Sequence, residues 1–258
     1  MPFSRIYEDI VYKKQQRQKL FAVLLDPDNL TVAACENLIL LSKTNSIDYF
    51  FVGGSLVTTA NQAPLITLLK QKSNIPVILF PSSSLHIDAQ ADAILLLSLI
   101  SGRNPEFLIG QHVIAAPILK SSQLQILPTG YILIDSGQPT TASYMSGSMP
   151  LPRNKPSIAA STALAGELLG LHLIFLDAGS GAQNPVPVDM IQAVRQAIDV
   201  PLMIGGGINS SQKVWAALNA GADLIVVGNE IETNPDFIRT LGAIKKQANA
   251  SVYNLSGN

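Results

Sequence analysis

The chain has 258 residues, of which 47% are hydrophobic and 14% charged, and its formal net charge is −1. This length suffices for one buried core and matches the roughly 250 residues of a (β/α)8 barrel, while the balanced charge argues against a nucleic-acid-binding protein. Because an average soluble domain has about 25% charged residues, the low charged fraction predicts apolar surface covered by a subunit partner, as in a homo-oligomer, or by an apolar ligand.

Features that report on location favour the cytoplasm. Cys35 is the only cysteine, so the chain cannot contain a disulfide framework, and a reducing compartment is expected. The first twenty residues include Lys13, Lys14 and Arg17 and lack the apolar stretch of a signal peptide. The longest apolar run, residues 93–100 with one serine, is much shorter than the ~18 residues of a membrane span. No integral membrane segment is predicted.

The predicted elements begin with a polar helix over residues 3–20 and then alternate between strands and helices. Continuous apolar runs are typical of buried parallel strands, which need a helical crossover between neighbours. Eight such runs cover residues 21–25, 49–52, 75–80, 93–97, 131–134, 173–176, 202–204 and 224–227. Helical patterns cover residues 31–43, 65–72, 105–123, 161–169 and 235–247. Pro117 is expected to kink or interrupt the third of these helices.

This alternation, without an internal linker, predicts a single (β/α)8 TIM barrel domain over residues 1–258. A doubly wound open sheet is the rival, but it usually carries phosphate-binding glycines after its first strand, where this chain has Asp26-Pro27. The longest stretch without a predicted element lies at about residues 138–156 and is rich in Ser, Thr, Pro and Gly. A loop of this length in a compact domain usually has a function, such as a lid or a partner contact.

Glycines end the last two strands, at residues 205–207 and at Gly228-Asn229. Residues without a Cβ let the backbone approach a ligand, and loop N–H groups beside a helix N-terminus form an anion site. In (β/α)8 barrels the loops after strands seven and eight frequently bind phosphate. Either cluster alone is more simply a tight turn that needs positive φ. Two clusters, one crossover apart, favour a phosphate site.

Acidic and hydroxyl side chains also follow the strands, and a barrel gathers its strand ends on one rim. Asp26 is held there because Pro27 cannot continue a central strand. Carboxylates and hydroxyls beside phosphates suit Mg²⁺, which is commonly bound by one or two carboxylates plus substrate phosphates. Asp28 is interpreted as the cap of the following helix. The three histidines are isolated, and no zinc site is predicted.

Eight segments together resemble the geranylgeranylglyceryl phosphate synthase family, in order from the first strand to the last. They are LLDPDN (24–29), FVGGS (51–55), PVILFPSSS (76–84), ADAILLLSLISGRNPEFLIGQHV (91–113), PTGYILIDSG (128–137), DAGSGA (177–182), IGGGI (204–208) and VVGN (226–229). Among phosphate-binding barrels, SLISGRNP together with AGSGA is specific to that family.

The resemblance implies a Mg²⁺-dependent prenyltransferase that makes an ether lipid precursor. Such an enzyme joins the 3-hydroxyl of sn-glycerol 1-phosphate to a polyprenyl diphosphate, here expected to be geranylgeranyl diphosphate, and releases diphosphate. By position, Asp26 and Ser55 are the implied magnesium residues. The implied glycerol-phosphate residues are Phe175, Leu176, Asp177, Ala178, Gly179, Ser180, Gly181, Gly205, Gly206, Gly228 and Asn229.

The chemistry itself assigns a role to Asp177. An allylic diphosphate leaves when Mg²⁺ and nearby donors stabilise the departing charge. The allylic cation then needs only a positioned, partly deprotonated hydroxyl group. Asp177 is therefore the predicted catalytic residue, as a general base or an orienting group.

The chain departs from the family pattern at three positions. The family usually has tyrosine and glutamate at Phe175 and Asp177, and glycine at Ser82. The first change removes one hydrogen bond to the glycerol phosphate, and the second shortens the carboxylate by one methylene. Two alternatives stay open: another phosphate-binding barrel (a phosphosugar isomerase, an aldolase or a flavin-binding protein) and a non-catalytic relative. Asp26-Pro27-Asp28, SLISGRNP and the lack of an evident Schiff-base lysine at the strand ends argue against the first.

Overall fold

The computed structural model describes residues 6–56, 58 and 61–255, so residues 3–5 of the predicted first helix lie outside it. The strands are β1 (Leu20–Leu25), β2 (Tyr49–Gly53), β3 (Val77–Phe80), β4 (Ala93–Leu99), β5 (Gln125–Leu133), β6 (Leu173–Asp177), β7 (Leu202–Gly205) and β8 (Leu224–Val227). The helices are α1 (Ile6–Gln15), α2 (Val32–Thr44), α3 (Gln62–Lys72), α4 (Gln111–Ser121), α5 (Thr141–Ser146), α6 (Pro156–Leu168), α7 (Val188–Ala197), α8 (Ser211–Ala220), α9 (Asn229–Thr233) and α10 (Phe237–Leu255). None of these helices is both long and apolar enough to cross a bilayer.

The eight strands form a closed parallel barrel in sequence order, which confirms the predicted fold. Closure occurs where β1 pairs with β8, in the register Leu20 with Leu224. Along each strand the side chains alternate between the barrel interior and the layer beneath the helices. Phe51 and Phe175 point inward, whereas the neighbouring Phe50 and Leu176 pack against the helical layer. Both faces are apolar, and this is why the strands appear in the sequence as continuous apolar runs.

Helix α1 closes the N-terminal end of the barrel. Its buried Ile6 and Ile10 pack with the interior side chains, and full burial of one such side chain contributes about 1.5–3 kcal/mol. The Tyr49 hydroxyl donates a 2.6 Å hydrogen bond to Asp9 Oδ2 and fixes the helix in place. The barrel is therefore accessible to a substrate from its C-terminal rim.

Strand β5 begins at Gln125, six residues before the predicted start, and includes Pro128. A proline is expected only where a strand has no ladder partner for its missing N–H group. Pro128 pairs with Leu96 of β4, but pairing with β6 starts only at Thr129. Its carbonyl accepts from His172 N at 2.8 Å, which shows that this residue faces β6. The missing N–H group therefore costs the ladder nothing.

The prediction of an irregular segment at 138–156 was wrong for residues 141–146, which form α5. Thr140 and Ser143 make a capping box, and Gly147 ends the helix in the left-handed region at φ 57°. Beyond it, Leu151 forms a parallel bridge with Ile134. The segment is thus tied to the rim on both sides of a short helix.

Two other helix boundaries differ from the prediction. Helix α6 starts at Pro156 rather than at residue 161, because proline is well suited to the first helical turn. Helix α4 runs through Pro117 without ending there. The irregularity lies earlier, in a π-helical turn over Glu106–Gly110 that leads into α4.

Candidate functional site

A polar cavity of about 600 Å³ lies at the C-terminal rim of the barrel. It brings together the ends of β1, β2, β6, β7 and β8, as the sequence predicted. The predicted site residues that line it are Asp26, Ser55, Phe175, Asp177, Gly179, Ser180, Gly181, Gly205, Gly206, Gly228 and Asn229.

Two of the predicted residues, Leu176 and Ala178, do not contribute side chains to this cavity. Both are buried in the layer between the strands and the helices. The alternation along β6 explains this placement, since Phe175 and Asp177 face inward and their neighbours must face outward. Ala178 serves the site through its backbone, whose N–H donates to the Gly205 carbonyl at 3.1 Å.

The phosphate loops predicted from the glycines contact each other directly. Asn229 Oδ1 accepts hydrogen bonds from Ser180 Oγ at 3.0 Å and from Gly181 N at 3.2 Å, so the loops after β6 and β8 are joined. Gly206, in the loop after β7, has φ 78°. A Cβ at Gly206 would lie 2.6 Å from both Gly179 N and Asp177 Oδ1. Only glycine fits where these loops meet.

Asp177 is buried beneath the cavity, with 8% of its surface exposed. Its Oδ2 accepts a 2.6 Å hydrogen bond from the Tyr131 hydroxyl, and its Oδ1 accepts a 2.8 Å bond from Gly179 N. Burial raises the pKa of Asp177, against these two hydrogen bonds, which lower it. Each carboxylate oxygen can accept more than one hydrogen bond, so Asp177 retains capacity for a substrate hydroxyl.

Three aromatic rings form the wall beside Asp177. Phe80, Tyr131 and Phe175 have ring centroids 5.5–5.8 Å apart in tilted or edge-on arrangements. Such pairs contribute about 0.5–1.5 kcal/mol each beyond their buried area. Tyr131 supplies the only hydroxyl of the three, and that hydroxyl is directed at Asp177.

Asp26 lies at the opposite side of the cavity, half-buried, against the β2 loop. A Cβ at Gly54 would lie 3.3 Å from Asp26 Oδ2, so the carboxylate and the Gly54-Ser55 backbone are adjacent. The Asn29 amide donates to Asp26 Oδ2 at 3.3 Å and to Glu232 Oε2 at 3.4 Å. Burial raises the pKa of Asp26, and the Asp28 charge adds to this, while the Asp28 N–H lowers it.

The interpretation of Asp28 as a helix cap was wrong. Thr31 caps α2, because its side chain accepts from Ala34 N. Asp28 Oδ2 instead accepts from Thr58 N at 2.7 Å and from Thr58 Oγ1 at 2.8 Å. The carboxylate therefore links the loops after β1 and β2, the two that carry the predicted metal residues.

The donor set around Asp26 fits a magnesium ion that is completed by substrate. Within the described ranges, no three histidine, cysteine or acidic side chains are grouped so that they could hold a metal by themselves. Magnesium does not require such a cage, since it often keeps waters and uses one or two carboxylates with substrate phosphates. Asp26, Ser55 and the nearby Glu232 supply oxygen atoms of the preferred kind.

A second cavity, of about 390 Å³, continues from the polar one between β4, α4 and α5. The two cavities share Gly54, Ser55, Leu56 and Phe80. Beyond these residues the second cavity is mostly apolar. Its aliphatic lining includes Ile94, Leu95, Leu96, Leu97, Leu99, Ala115, Leu119 and Leu133. We call this cavity the apolar groove.

Sequence reasoning missed Tyr131 and Glu232. Tyr131 was counted as a strand residue, and nothing in its sequence context shows that its hydroxyl reaches Asp177 in the next strand. Glu232 lies in α9, three residues after Asn229, and its relation to Asp26 depends on the closure of the barrel. A signal was available for Tyr131: it is an inward-facing polar-tipped side chain near a strand end.

Comparison with known proteins gives one consistent family. The model of the PcrB family matches residues 12–247. The geranylgeranylglyceryl phosphate synthase of Spirosoma linguale is 56% identical over 239 residues, which cover 93% of this chain and 96% of that protein. The enzyme of the same name from Thermococcus kodakarensis is 42% identical over 226 residues, covering 87% and 89%.

A solved structure agrees over nearly the whole chain. The crystal structure of (S)-3-O-geranylgeranylglyceryl phosphate synthase from Thermoplasma acidophilum, in complex with its substrate sn-glycerol-1-phosphate, has a TM-score of 0.89 and 30% identity. The match covers 96% of this chain and 100% of that one. A thiamine phosphate pyrophosphorylase from Pyrococcus furiosus, with a TM-score of 0.54 and 13% identity, shares the fold alone.

Proposed function

The chain belongs to the geranylgeranylglyceryl phosphate synthase (PcrB) family, and on that premise we propose that it joins sn-glycerol 1-phosphate to a polyprenyl diphosphate and releases diphosphate. The observation that carries this proposal is the meeting of two unlike cavities at Gly54, Ser55 and Phe80. One has the glycine loops and carboxylates that a glycerol phosphate requires. The other is an apolar groove of the kind that a prenyl chain requires.

In the proposed complex the phosphate of glycerol phosphate lies against the loops after β6, β7 and β8. Gly228 precedes α9 and provides no side-chain acceptor, so no side chain caps the N–H groups at the start of that turn. Asn229 holds the neighbouring loop through Ser180 and Gly181. The glycerol part then extends toward Asp177, the buried carboxylate at the end of β6.

We expect Gly206→Ala to weaken glycerol phosphate binding by at least about tenfold, since a Cβ there would push apart the Asp177 carboxylate and the Ala178-Gly179 backbone, which form the floor of the proposed site. Isothermal titration with glycerol 1-phosphate measures this. The matched control is Gly170→Ala, at a glycine of similar φ (85° against 78°) where a Cβ meets nothing within 4 Å. In Gly170→Ala the alanine is equally strained by its left-handed backbone conformation, but its Cβ meets no other atom. Equal affinities in the two variants would contradict the assignment of these loops.

The bond change assigns a task to each side of the site. The glycerol hydroxyl oxygen forms a bond to the first carbon of the prenyl chain, while the bond between that carbon and diphosphate breaks and its electron pair leaves with diphosphate. The hydroxyl proton goes to Asp177, whose basicity is increased by burial. Tyr131 and Gly179 N fix the orientation of the carboxylate during this transfer.

Asp26 and Ser55 are the residues proposed to hold Mg²⁺, with Glu232 beside them. When bound, the ion neutralises the charge that develops on the departing diphosphate. Asp26 is suited to this because it lines the polar cavity beside Gly54, which lies at the junction with the apolar groove. The diphosphate group of a prenyl donor would have to lie at that junction for its chain to enter the groove.

The apolar groove is proposed to hold the prenyl chain, and Ala115 is a small side chain in its wall. Ala115→Phe should fill part of this space. We expect turnover with a 20-carbon donor to fall at least about tenfold relative to a 15-carbon donor, because even one misfitting methylene in a pocket costs that much. Competition between the two donors measures the ratio. Ala159→Val, buried on α6 away from the groove, is the packing control. An unchanged ratio in Ala115→Phe would exclude this groove as the chain site.

The activity is tested by incubating purified protein with labelled glycerol 1-phosphate, Mg²⁺ and prenyl diphosphates of increasing length. A lipid-extractable labelled product is expected. No product with any donor, together with measurable glycerol phosphate binding, would favour the non-catalytic relative instead.

Two further expectations remain proposals. Large apolar side chains are exposed on α4 and α5, among them Val113 at 65% and Tyr144 at 84%, which supports a homo-oligomer that covers this surface. The cytoplasmic location is supported by the single cysteine, Cys35, which is buried and unpaired.

A further inference from the structure

A cleft of about 470 Å³ lies at the N-terminal face of the barrel, opposite the polar cavity. It is bordered by α1, α7, α8 and α10. Its lining combines four cationic side chains, one carboxylate and one aromatic ring: Lys14, Arg17, Lys19, Arg195, Asp223 and Trp215. We call it the basic cleft.

The single carboxylate of the basic cleft is already engaged. Asp223 Oδ2 accepts from Arg195 Nη1 at 2.8 Å and from Leu202 N at 2.9 Å. Arg195 is further held by the carbonyls of Ile198 and Val200. These two charges therefore balance each other and fix the end of α7 to the barrel. The other three cations outnumber the one carboxylate of the cleft.

In the described part of the chain, no carboxylate forms an ion pair with Lys14, Arg17 or Lys19. Lys19 is anchored, because its Nζ donates to the Ala222 carbonyl at 2.8 Å. An ammonium group has three donors, so two remain for a ligand. Burial lowers the pKa of Lys19. The Asp223 charge raises this pKa, while the charges of Arg195 and Lys14 lower it further. An anion in the cleft would relieve this repulsion.

Arg17 occupies an unusual backbone position. It follows the end of α1 with φ 55°, where glycine or asparagine is usual. Its N–H donates to Lys14 O, and the next N–H donates to Lys13 O, which is the pattern of a helix-ending turn. The chain thus places a long cation where a glycine would be less strained, and directs it to the border of the basic cleft.

We propose that the basic cleft is a second binding site, for a phosphate-bearing anion, separate from the site at the C-terminal rim. Lys14 and Lys19 provide the inner donors, and Arg17 covers the anion from the solvent side. The ligand is either a soluble phosphate compound or the headgroup of an anionic phospholipid, since both present the same oxygens to these cations.

Trp215 makes the proposal testable without any turnover assay, because it is the only tryptophan in the chain and it lines the basic cleft. Inorganic diphosphate is titrated while tryptophan fluorescence is recorded, with potassium chloride at matched ionic strength as the control. We expect a saturable change with a dissociation constant below about 1 mM. A response no larger than that of potassium chloride, together with no binding to the vesicles described below, would overturn the proposal.

Variants separate this site from others. Arg17→Gly should relieve the backbone strain, so its melting temperature is expected to be equal or higher, while diphosphate affinity falls at least about tenfold. Lys14→Gln should also lower the affinity for diphosphate at least about tenfold. Lys120→Gln removes an exposed cation of α4 outside the cleft and should change nothing. Retained affinity in both Arg17→Gly and Lys14→Gln would overturn the proposal.

Co-sedimentation with vesicles of phosphatidylglycerol and phosphatidylcholine identifies the source of the anion. Binding to these vesicles but not to soluble diphosphate, lost in Arg17→Gly, would assign the cleft to a lipid headgroup. A diphosphate response without vesicle binding would assign it to a soluble compound. Neither result depends on the proposed synthase reaction, so each can succeed or fail independently of it.

Discussion

Asp26→Ala is expected to lose most turnover while the barrel stays folded. The side chain lines the polar cavity beside Gly54, which both cavities share, and it is the carboxylate proposed to hold Mg²⁺ beside Ser55. Loss of a metal ligand removes several kcal/mol of stabilisation of the departing diphosphate, so we expect a decrease of at least about 10²-fold. The measurement is the rate of product formation across a magnesium titration.

The variant also leaves the Asp28 N–H and the Asn29 amide without one acceptor, so its melting temperature must be measured in parallel. Asp26→Asn keeps an acceptor for these groups but removes the charge, and it should be nearly as inactive. Glu36→Gln removes an exposed carboxylate of α2 that pairs with Lys72, and it should retain full activity. Wild-type rates in Asp26→Ala at limiting magnesium would refute the metal assignment.

Asp177→Asn should slow turnover by roughly 10² to 10⁴-fold if Asp177 accepts the proton of the glycerol hydroxyl. The structure gives this carboxylate a structural task as well, because it accepts from Gly179 N at the turn after β6. Asparagine can perform that task, and its amide can donate to the Tyr131 hydroxyl. The two roles therefore predict different rates for the same well-folded variant.

Tyr131→Phe is the companion to this experiment. It removes the hydroxyl that donates to Asp177 Oδ2 but keeps the ring between Phe80 and Phe175. If Tyr131 only orients the carboxylate, the loss of turnover in Tyr131→Phe should be smaller than in Asp177→Asn. Asp177→Glu restores the side-chain length usual in the family, and it should preserve or raise the rate if Asp177 accepts the hydroxyl proton. A rate for Asp177→Asn within about threefold of wild type would leave Asp177 with a structural role alone.

The barrel was predictable because each strand is buried on both faces and so appears as an unbroken apolar run. The start of β5 was predicted too late because its first residues pair with β4 but not with β6. The apolar run used for the prediction began only at residue 131, whereas Pro128 belongs to the strand because it needs no ladder bond toward β6. Helix α5 was missed because its signal is the reciprocal bonding of Thr140 and Ser143, which is weak in a segment rich in hydroxyl side chains.

The site residues were predictable at positions where the local backbone requires one particular type of residue or fixes where its side chain lies. Gly206 needs both its positive φ and its missing Cβ, and Asp26 is displayed by the following proline. Relations between strands were not predictable. Thr31 caps α2 because it directly precedes the helix, whereas Asp28 binds Thr58 of the loop after β2. Glu232 approaches Asp26 only after β8 closes against β1.

The narrow strip shared by the polar cavity and the apolar groove has a kinetic consequence. Since Gly54, Ser55, Leu56 and Phe80 are the residues common to both, the remainder of each cavity is free to take its own substrate. If the polar cavity holds glycerol phosphate and the apolar groove holds the prenyl chain, as proposed, both substrates can be present before any bond changes. The proposed assignment therefore predicts a sequential mechanism through a ternary complex, rather than a ping-pong exchange through a prenylated enzyme.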